Sequence, residues 1–162
     1  MLLKINKHEI ISWEGKLRPS LEYTGIYPRV ENGELPIWIA TGGTPESSLR
    51  AGAFGLPITY AIIGGNPRRF ARNIEIYKSI ALSYGHDPSK LPIGVHSWGY
   101  VAETDEQAKR EFFPSLKAHQ DIIGKERGWP AFDENAFERE IGSHGAIYLG
   151  SPETCLLYTS DA

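Results

Sequence analysis

From residue 36 onward, short runs of continuous apolar residues alternate with longer stretches of helical periodicity. Residues 36–40 and 57–63 read as buried strands, residues 93–102 as a third and residues 145–149 as a fourth. Between them, residues 44–54 read as a helix stopped at Gly55. Residues 67–84 form a long amphipathic pattern, with Phe70, Ile74, Tyr77, Ile80 and Leu82 near helical spacing and Gly85 at its end. A third helix is predicted over 105–123, bent at Pro114, which lacks a backbone donor. Residues 124–130 read as a loop and 133–141 as a short helix. Strands that are apolar throughout, joined by amphipathic helices, predict an α/β fold with a parallel sheet covered by helices. The first 35 residues break this rhythm: 2–9 read as the tail of a helix and 10–28 as an irregular extended arm.

A small repeat sits where the chemistry would be. The first strand runs into Ala40-Thr41-Gly42-Gly43-Thr44-Pro45, the second into Ile62-Ile63-Gly64-Gly65-Asn66-Pro67. Both read as strand, Gly-Gly, N-cap residue, then proline at the first helical position. The fourth strand ends similarly in Gly150-Ser151-Pro152-Glu153, and the third in Thr104-Asp105-Glu106-Gln107, a capping box. In a parallel sheet all these turns share one face. Glycine pairs let a ligand approach the backbone, and helix N-termini favour an anion. A tight turn alone explains either Gly-Gly pair; the two in register point to phosphate binding, with Arg68 and Arg69 adding charge. Neither turn is a P-loop or a dinucleotide fingerprint.

Composition narrows the classes. The 162 residues are 41% apolar and 23% charged, which is globular and excludes a disordered chain. A net charge of −3, with no basic run, argues against nucleic acid. No apolar run approaches the roughly 20 residues of a membrane span, and no signal peptide is recognisable, so a cytoplasmic protein is expected. One cysteine, Cys155, forms neither an internal disulfide nor a thiolate metal site, and no metal is expected. Strand alternation places Gly94, His96, Trp98 and Tyr100 on one side, with His96 and Trp98 directed into a pocket. His96 is expected deep, as a satisfied core histidine or as a ligand group. No self-contained catalytic constellation is present.

The run from Leu35 to Ser47, the Arg50-Ala51-Gly52 and Gly55-Leu56-Pro57 segments, and Ala61-Ile62-Ile63-Gly64-Gly65-Asn66-Pro67-Arg68-Arg69-Phe70 together resemble the bacterial luciferase-like monooxygenases. Tyr84-Gly85-His86-Asp87-Pro88, Val95-His96-Ser97, residues 101–106 and residues 145–153 extend the resemblance over about 1–154. It implies a (β/α)8 barrel of the TIM type that binds reduced flavin, FMN or the deazaflavin F420, on the face carrying the βα loops. On that pattern Ala40, Thr41, Gly42, Gly43 and Thr44 line the flavin near its phosphate, and Ile63, Gly64, Gly65 and Arg69 complete the phosphate end. The implied reaction oxygenates a small organic substrate with O2. A flavin reductase and a second copy are candidate partners, and F420-dependent hydride transfer and a non-catalytic phosphate-binding half-barrel are the alternatives. A whole barrel takes roughly 250 residues. With about four strands the chain reads as the C-terminal half, a fragment expected to be inactive alone. The catalytic residues are expected in the other half. Residues 155–162 do not look like the closing helix of the family; they resemble a translated sequencing-adaptor read-through and are expected to be non-native.

Overall fold

The computed structural model describes residues 1–31, 33–142 and 144–160, the side chains of 158–160 excepted. The chain divides into two units, Met1–Ile37 and Trp38–Ala162.

The first unit opens with helix α1 (Leu2–Lys7), as the helical tail expected there. The expected irregular arm is instead an antiparallel pair, β1 (Ile10–Trp13) and β2 (Leu21–Gly25), with Ile11 opposite Thr24. Only Ile11 of this pair is buried, so the alternation that marks a strand is too weak to read locally. Arg29 closes the C-terminal end of α1, donating to the Ile5 carbonyl at 2.6 Å and the Asn6 carbonyl at 3.0 Å. The Asn6 carboxamide pairs with the backbone of Leu35, donating to its oxygen and accepting from its nitrogen at 2.9 Å each.

In the second unit β3 (Ile39–Thr41), β4 (Ile58–Ala61) and β5 (Ile93–His96) pair in parallel in that order. The expected third strand is interrupted at Ser97. Its second part, β6 (Trp98–Val101), pairs in parallel with β7 (Ile147–Gly150). Helices α2 (Pro45–Phe54), α3 (Ala71–Ser83), α4 (Asp105–Arg127), α5 (Glu134–Glu140) and α6 (Pro152–Ser160) fill the connections, and a 3-10 turn at Pro67–Phe70 leads into α3.

The helices lie against one side of each strand. Ile58, Tyr60 and Ile62 pack on Ala51 of α2 and on Phe70 and Tyr77. Ile147 and Leu149 pack on Ala108, Leu116, Phe137 and Ile141 of the α4–α5 layer. The opposite face carries Thr59 and Ala61, half-buried, and exposed Ala40, Ile63 and His96. One-sided helix cover is the layering of a barrel wall rather than of a sheet sandwiched between helices. Tyr60 and Ser48 are both fully buried, and their hydroxyls satisfy each other at 2.8 Å. Gly52 lets α2 approach α3: a Cβ there would sit 2.7 Å from the Tyr77 carbonyl oxygen.

Two local expectations change. Helix α4 runs on through Gly124 to Arg127 and ends at Gly128 in the left-handed region, so residues 124–127 are helix and not loop. Pro114 lies inside that continuous helix. The segment after Ser151 is helical to Ser160; residues 161 and 162 lie outside the described residues. The cap at Thr104 is half of a capping box. Its hydroxyl accepts from Gln107 N at 3.1 Å, while the Gln107 side chain donates forward to Glu111.

Asp105 ties the start of α4 to the start of α6. Oδ1 accepts from Ser151 N at 2.6 Å and Oδ2 from the Thr154 hydroxyl at 3.1 Å. The Ser151 amide first, then the Thr154 hydroxyl, holds the carboxyl below its ordinary value of 3.8. A depressed carboxyl pKa contributes stability that is present above the unfolded value and lost as pH falls through the folded one. The melting temperature of Asp105→Asn is therefore expected below that of the parent at neutral pH. The gap should shrink as pH falls through about 4. A gap that stays constant with pH in thermal melts would exclude the charge as its source.

Candidate functional site: the paired Gly-Gly turns

Both Gly-Gly turns follow the C-terminal ends of adjacent strands, β3 and β4, and residues after the second turn hold the first. The Asn73 carboxamide donates to the Gly43 carbonyl at 2.6 Å. The Phe70 ring lies against Gly43, where a Cβ would come within 2.6 Å of it. Gly43 has φ +105°, a conformation open to glycine, and its amide donates to Thr41 Oγ1 at 3.1 Å. Thr41 is buried, so its hydroxyl shapes the turn from beneath. Thr44 is the N-cap residue of α2, yet its hydroxyl pairs with that of Ser47 at 2.9 Å rather than with a backbone amide. Asn66 caps the second turn, accepting from Arg68 N at 2.9 Å. Arg69 folds back over its own turn, donating to the Gly64 carbonyl at 3.1 Å and lying 5.1 Å above the Phe70 ring. A Cβ on Gly42 or Gly64 would meet nothing within 4 Å, so the outer side of both turns is open to a ligand.

The Gly65 amide already has an anionic partner. Both carboxylate oxygens of Glu140, at the end of α5, accept from it at 3.1 and 3.0 Å.

His96 and Trp98 do not share a pocket. His96 is exposed rather than deep. Trp98 packs into the α4 layer, edge-on to the His119 ring at 5.2 Å, and Tyr100 stacks on Phe112 at 5.5 Å. Strict alternation would give Ile93 and Gly99 the same side. Instead Ile93 packs towards α2 and α3, and Trp98 and Tyr100 pack towards α4. Ser97 absorbs the change of parity as an extra residue, its hydroxyl donating to the Ile62 carbonyl at 2.8 Å while Ile62 N donates to the His96 carbonyl at 2.8 Å. The buried Trp98 Nε1 has no partner among the described residues.

The resolved pKa shifts lie away from the turns. Burial raises the Tyr60 and Tyr77 phenols. Burial first, then the Asp105 charge, raises the Cys155 thiol, which disfavours the thiolate a nucleophile needs. Among the described residues no group of three or more His, Cys, Asp or Glu side chains is placed to hold a metal ion, and no helix is long and apolar enough to cross a membrane.

A family model described as luciferase-like monooxygenase matches residues 1–156. The chain belongs to the luciferase-like monooxygenase family. It is 30% identical over 86 residues to the alkanal monooxygenase alpha chain of Aliivibrio fischeri, covering 52% of this chain and 23% of that protein. Its fold is similar to monooxygenase RslO1 from Streptomyces bottropensis, with TM-score 0.75 and 22% identity, over 98% of this chain and 46% of that one. It is also similar to the oxygenating constituent of 3,6-diketocamphane monooxygenase from Pseudomonas putida, a type II Baeyer–Villiger enzyme in complex with FMN. There the TM-score is 0.57 and the identity 19%, over 98% of this chain and 49% of that one. The chain thus spans about a quarter of the curated relative's length and about half of each solved structure. The parallel α/β architecture is that of the family's barrels over most of this chain.

Three residues central to the turns were not read from the sequence as site residues. Asn73 and Phe70 had a signal: Asn73 is a polar residue on the apolar stripe of Phe70, Ile74 and Tyr77, and such a residue is buried for a hydrogen bond. Glu140 had none, because 75 positions separate it from Gly65.

Proposed function

We propose that this luciferase-like chain supplies the phosphate-binding part of a flavin-dependent monooxygenase, which oxygenates a small organic substrate with O2 and reduced FMN. The observation that carries the reading is the clamp on the two turns: Asn73 and Phe70 hold Gly43 beside the Gly64–Gly65 turn, and both turns are open outward. The donor chemistry fits a phosphate monoester. Backbone amides, a guanidinium at Arg69 and the hydroxyl pair Thr44–Ser47 lie on the two turns, at the C-terminal ends of adjacent parallel strands. Ala40 and Ile63, on the exposed strand face, offer apolar surface to the adjoining part of the ligand.

When bound, the reduced flavin supplies the electrons that activate O2. The residues of this chain bind and orient. Gly42, Gly43, Gly64 and Gly65 would set how close the phosphate comes, and Arg69, now on the Gly64 carbonyl, would meet its charge. No residue of this chain is assigned a catalytic role. Residues 1–154 are read as half of a barrel, and 155–162 as outside its native sequence. The alternative cofactor, F420, presents a phosphate to the same turns.

The test is a titration with FMN, riboflavin and F420, followed by flavin fluorescence or absorbance. FMN is expected to bind at least tenfold tighter than riboflavin, which lacks only the phosphate. Arg69→Ala should weaken FMN by about tenfold, the order of one charge-assisted hydrogen bond, and leave riboflavin unchanged. Equal affinity for FMN and riboflavin would overturn the phosphate assignment. Tight F420 with weak FMN would replace the monooxygenase by a hydride-transfer enzyme on the same site.

A further inference from the structure

The occupied amide at Gly65 has a consequence for affinity. One backbone N–H serves one anion at a time, and here both oxygens of the Glu140 carboxylate converge on it at 3.1 and 3.0 Å. A phosphate at this turn needs the same donor. It would also bring a second negative charge against the first at contact distance, where neighbouring like charges repel strongly outside bulk water.

Glu140 is not there by chance rotation of a loose side chain. Its backbone is held from both sides. The next residue, Ile141, is buried and its amide bonds the carbonyl of buried Phe137 at 3.0 Å. On the other side Gly145 lies flush against it, where any Cβ would collide with the Glu140 carbonyl. The anchored backbone places the carboxylate within reach of the turn, and its side-chain torsions leave it free to exchange. No ion pair among the described residues includes Glu140. Among the described residues the ion pairs are Lys90–Asp87, Lys109–Glu138 and Lys117–Asp121. Arg69, on the same turn, donates to the Gly64 carbonyl instead. The carboxylate is thus matched to a backbone amide, an arrangement an incoming anion can exchange: the amide changes partner and Glu140 turns to solvent.

We propose that Glu140 is an affinity- and specificity-determining residue of the Gly64–Gly65 turn, a tethered carboxylate that competes with the ligand's phosphate and so lowers the preference of the site for phosphorylated over unphosphorylated ligands. The inference rests on the reading of this turn as the phosphate end of the cofactor site. Without a ligand, Glu140 serves as the acceptor of the Gly65 amide. With ligand present, part of the binding energy goes into its displacement.

The experiment compares the 162-residue chain with Glu140→Ala and Glu140→Gln. Inorganic phosphate is titrated while the Gly65 amide is followed by NMR, and FMN and riboflavin are titrated in parallel. Thermal melts establish that each variant is folded. Glu140→Gln keeps an acceptor for Gly65 and removes only the charge, which guards against a packing defect in the alanine variant. Phosphate is expected to shift the Gly65 amide in all three proteins. The affinity should rise about tenfold in Glu140→Ala, the order of one charged hydrogen bond, and by less in Glu140→Gln. The FMN-to-riboflavin preference should widen by the same factors. Equal phosphate affinity in the three proteins, or a Gly65 amide indifferent to phosphate in all of them, overturns the inference. Tighter phosphate at Gly65 without any preference for FMN over riboflavin supports the competitor and rejects the cofactor reading. An FMN preference that none of the substitutions alters does the reverse.

Discussion

Replacing Gly52 with alanine is expected to destabilise the α2–α3 pair by about 3 kcal/mol, at the upper end of overpacking costs. That is roughly 6–12 °C in unfolding midpoint for a chain of this size. The magnitude follows from what the new methyl would strike. It would lie 2.7 Å from the Tyr77 carbonyl oxygen and 3.0 Å from the Ala81 nitrogen, both backbone atoms of α3. Backbone does not rotate away, so the helices must separate. Separation opens the packing of Ala51, Tyr77 and Ile58, all fully buried. The third near atom is the Ile80 Cβ at 3.2 Å. An alanine at position 80 keeps that Cβ, so an Ile80→Ala background should recover little. Gly64→Ala is the control: its Cβ would meet nothing within 4 Å, and its midpoint should shift by no more than about 1 °C. Thermal melts of the four proteins decide the matter. A Gly52→Ala midpoint as close to the parent as that of Gly64→Ala would show that the two helices yield at no cost.

Gly43→Ala should damage stability and ligand binding together. The backbone at φ +105° is one that an L-residue adopts only with strain of about 1–2 kcal/mol. The methyl would also come within 2.6 Å of the Phe70 ring, so a total near 3 kcal/mol is expected. Phe70 is buried and meets Tyr60 edge-on at 5.9 Å, so the ring has little room to yield. The Asn73 bond to the Gly43 carbonyl would be pulled out of line, and the two turns would lose their common position. FMN affinity is expected to fall more than tenfold, and riboflavin affinity much less. Adding Phe70→Leu separates the two causes. It should restore the steric share and leave the backbone share, giving a coupling energy of about 1 kcal/mol or more in a double-mutant cycle. Strict additivity would place the whole cost in the backbone.

The contrast between these glycines shows where sequence reasoning reached. All four residues of the Gly-Gly turns were identified from their place between an apolar run and a proline-initiated helix, and both turns do follow parallel strands. Gly52 stood inside a helical pattern, where its sequence says only that helix propensity is sacrificed. That α3 lies against it is not written within reach of the residue.

His96 and Trp98 fail for a related reason. Period-2 alternation is a property of an uninterrupted strand. A single extra residue at Ser97 reverses the faces beyond it, and Val95-His96-Ser97-Trp98 carries no glycine or proline to announce the break. The interruption makes sense only from the neighbours: β5 pairs with β4, and β6 pairs with β7. The hairpin in the first unit was missed because its strands bury almost nothing.

Local chemistry written in the chain therefore accounts for the order of strands and helices, the caps at Asn66 and Thr104, and the glycine turns on one end of a parallel sheet. These depend on residues within one turn or one apolar run of each other, and neighbouring residues meet whatever the rest of the chain does. The clamp of Asn73 on Gly43, the reversal at Ser97 and the Glu140 carboxylate on Gly65 join positions brought close by helix packing and strand pairing. Such contacts exist only after the layers have assembled, because the geometry of the layers, and not the spacing of the residues, decides which polar atoms meet.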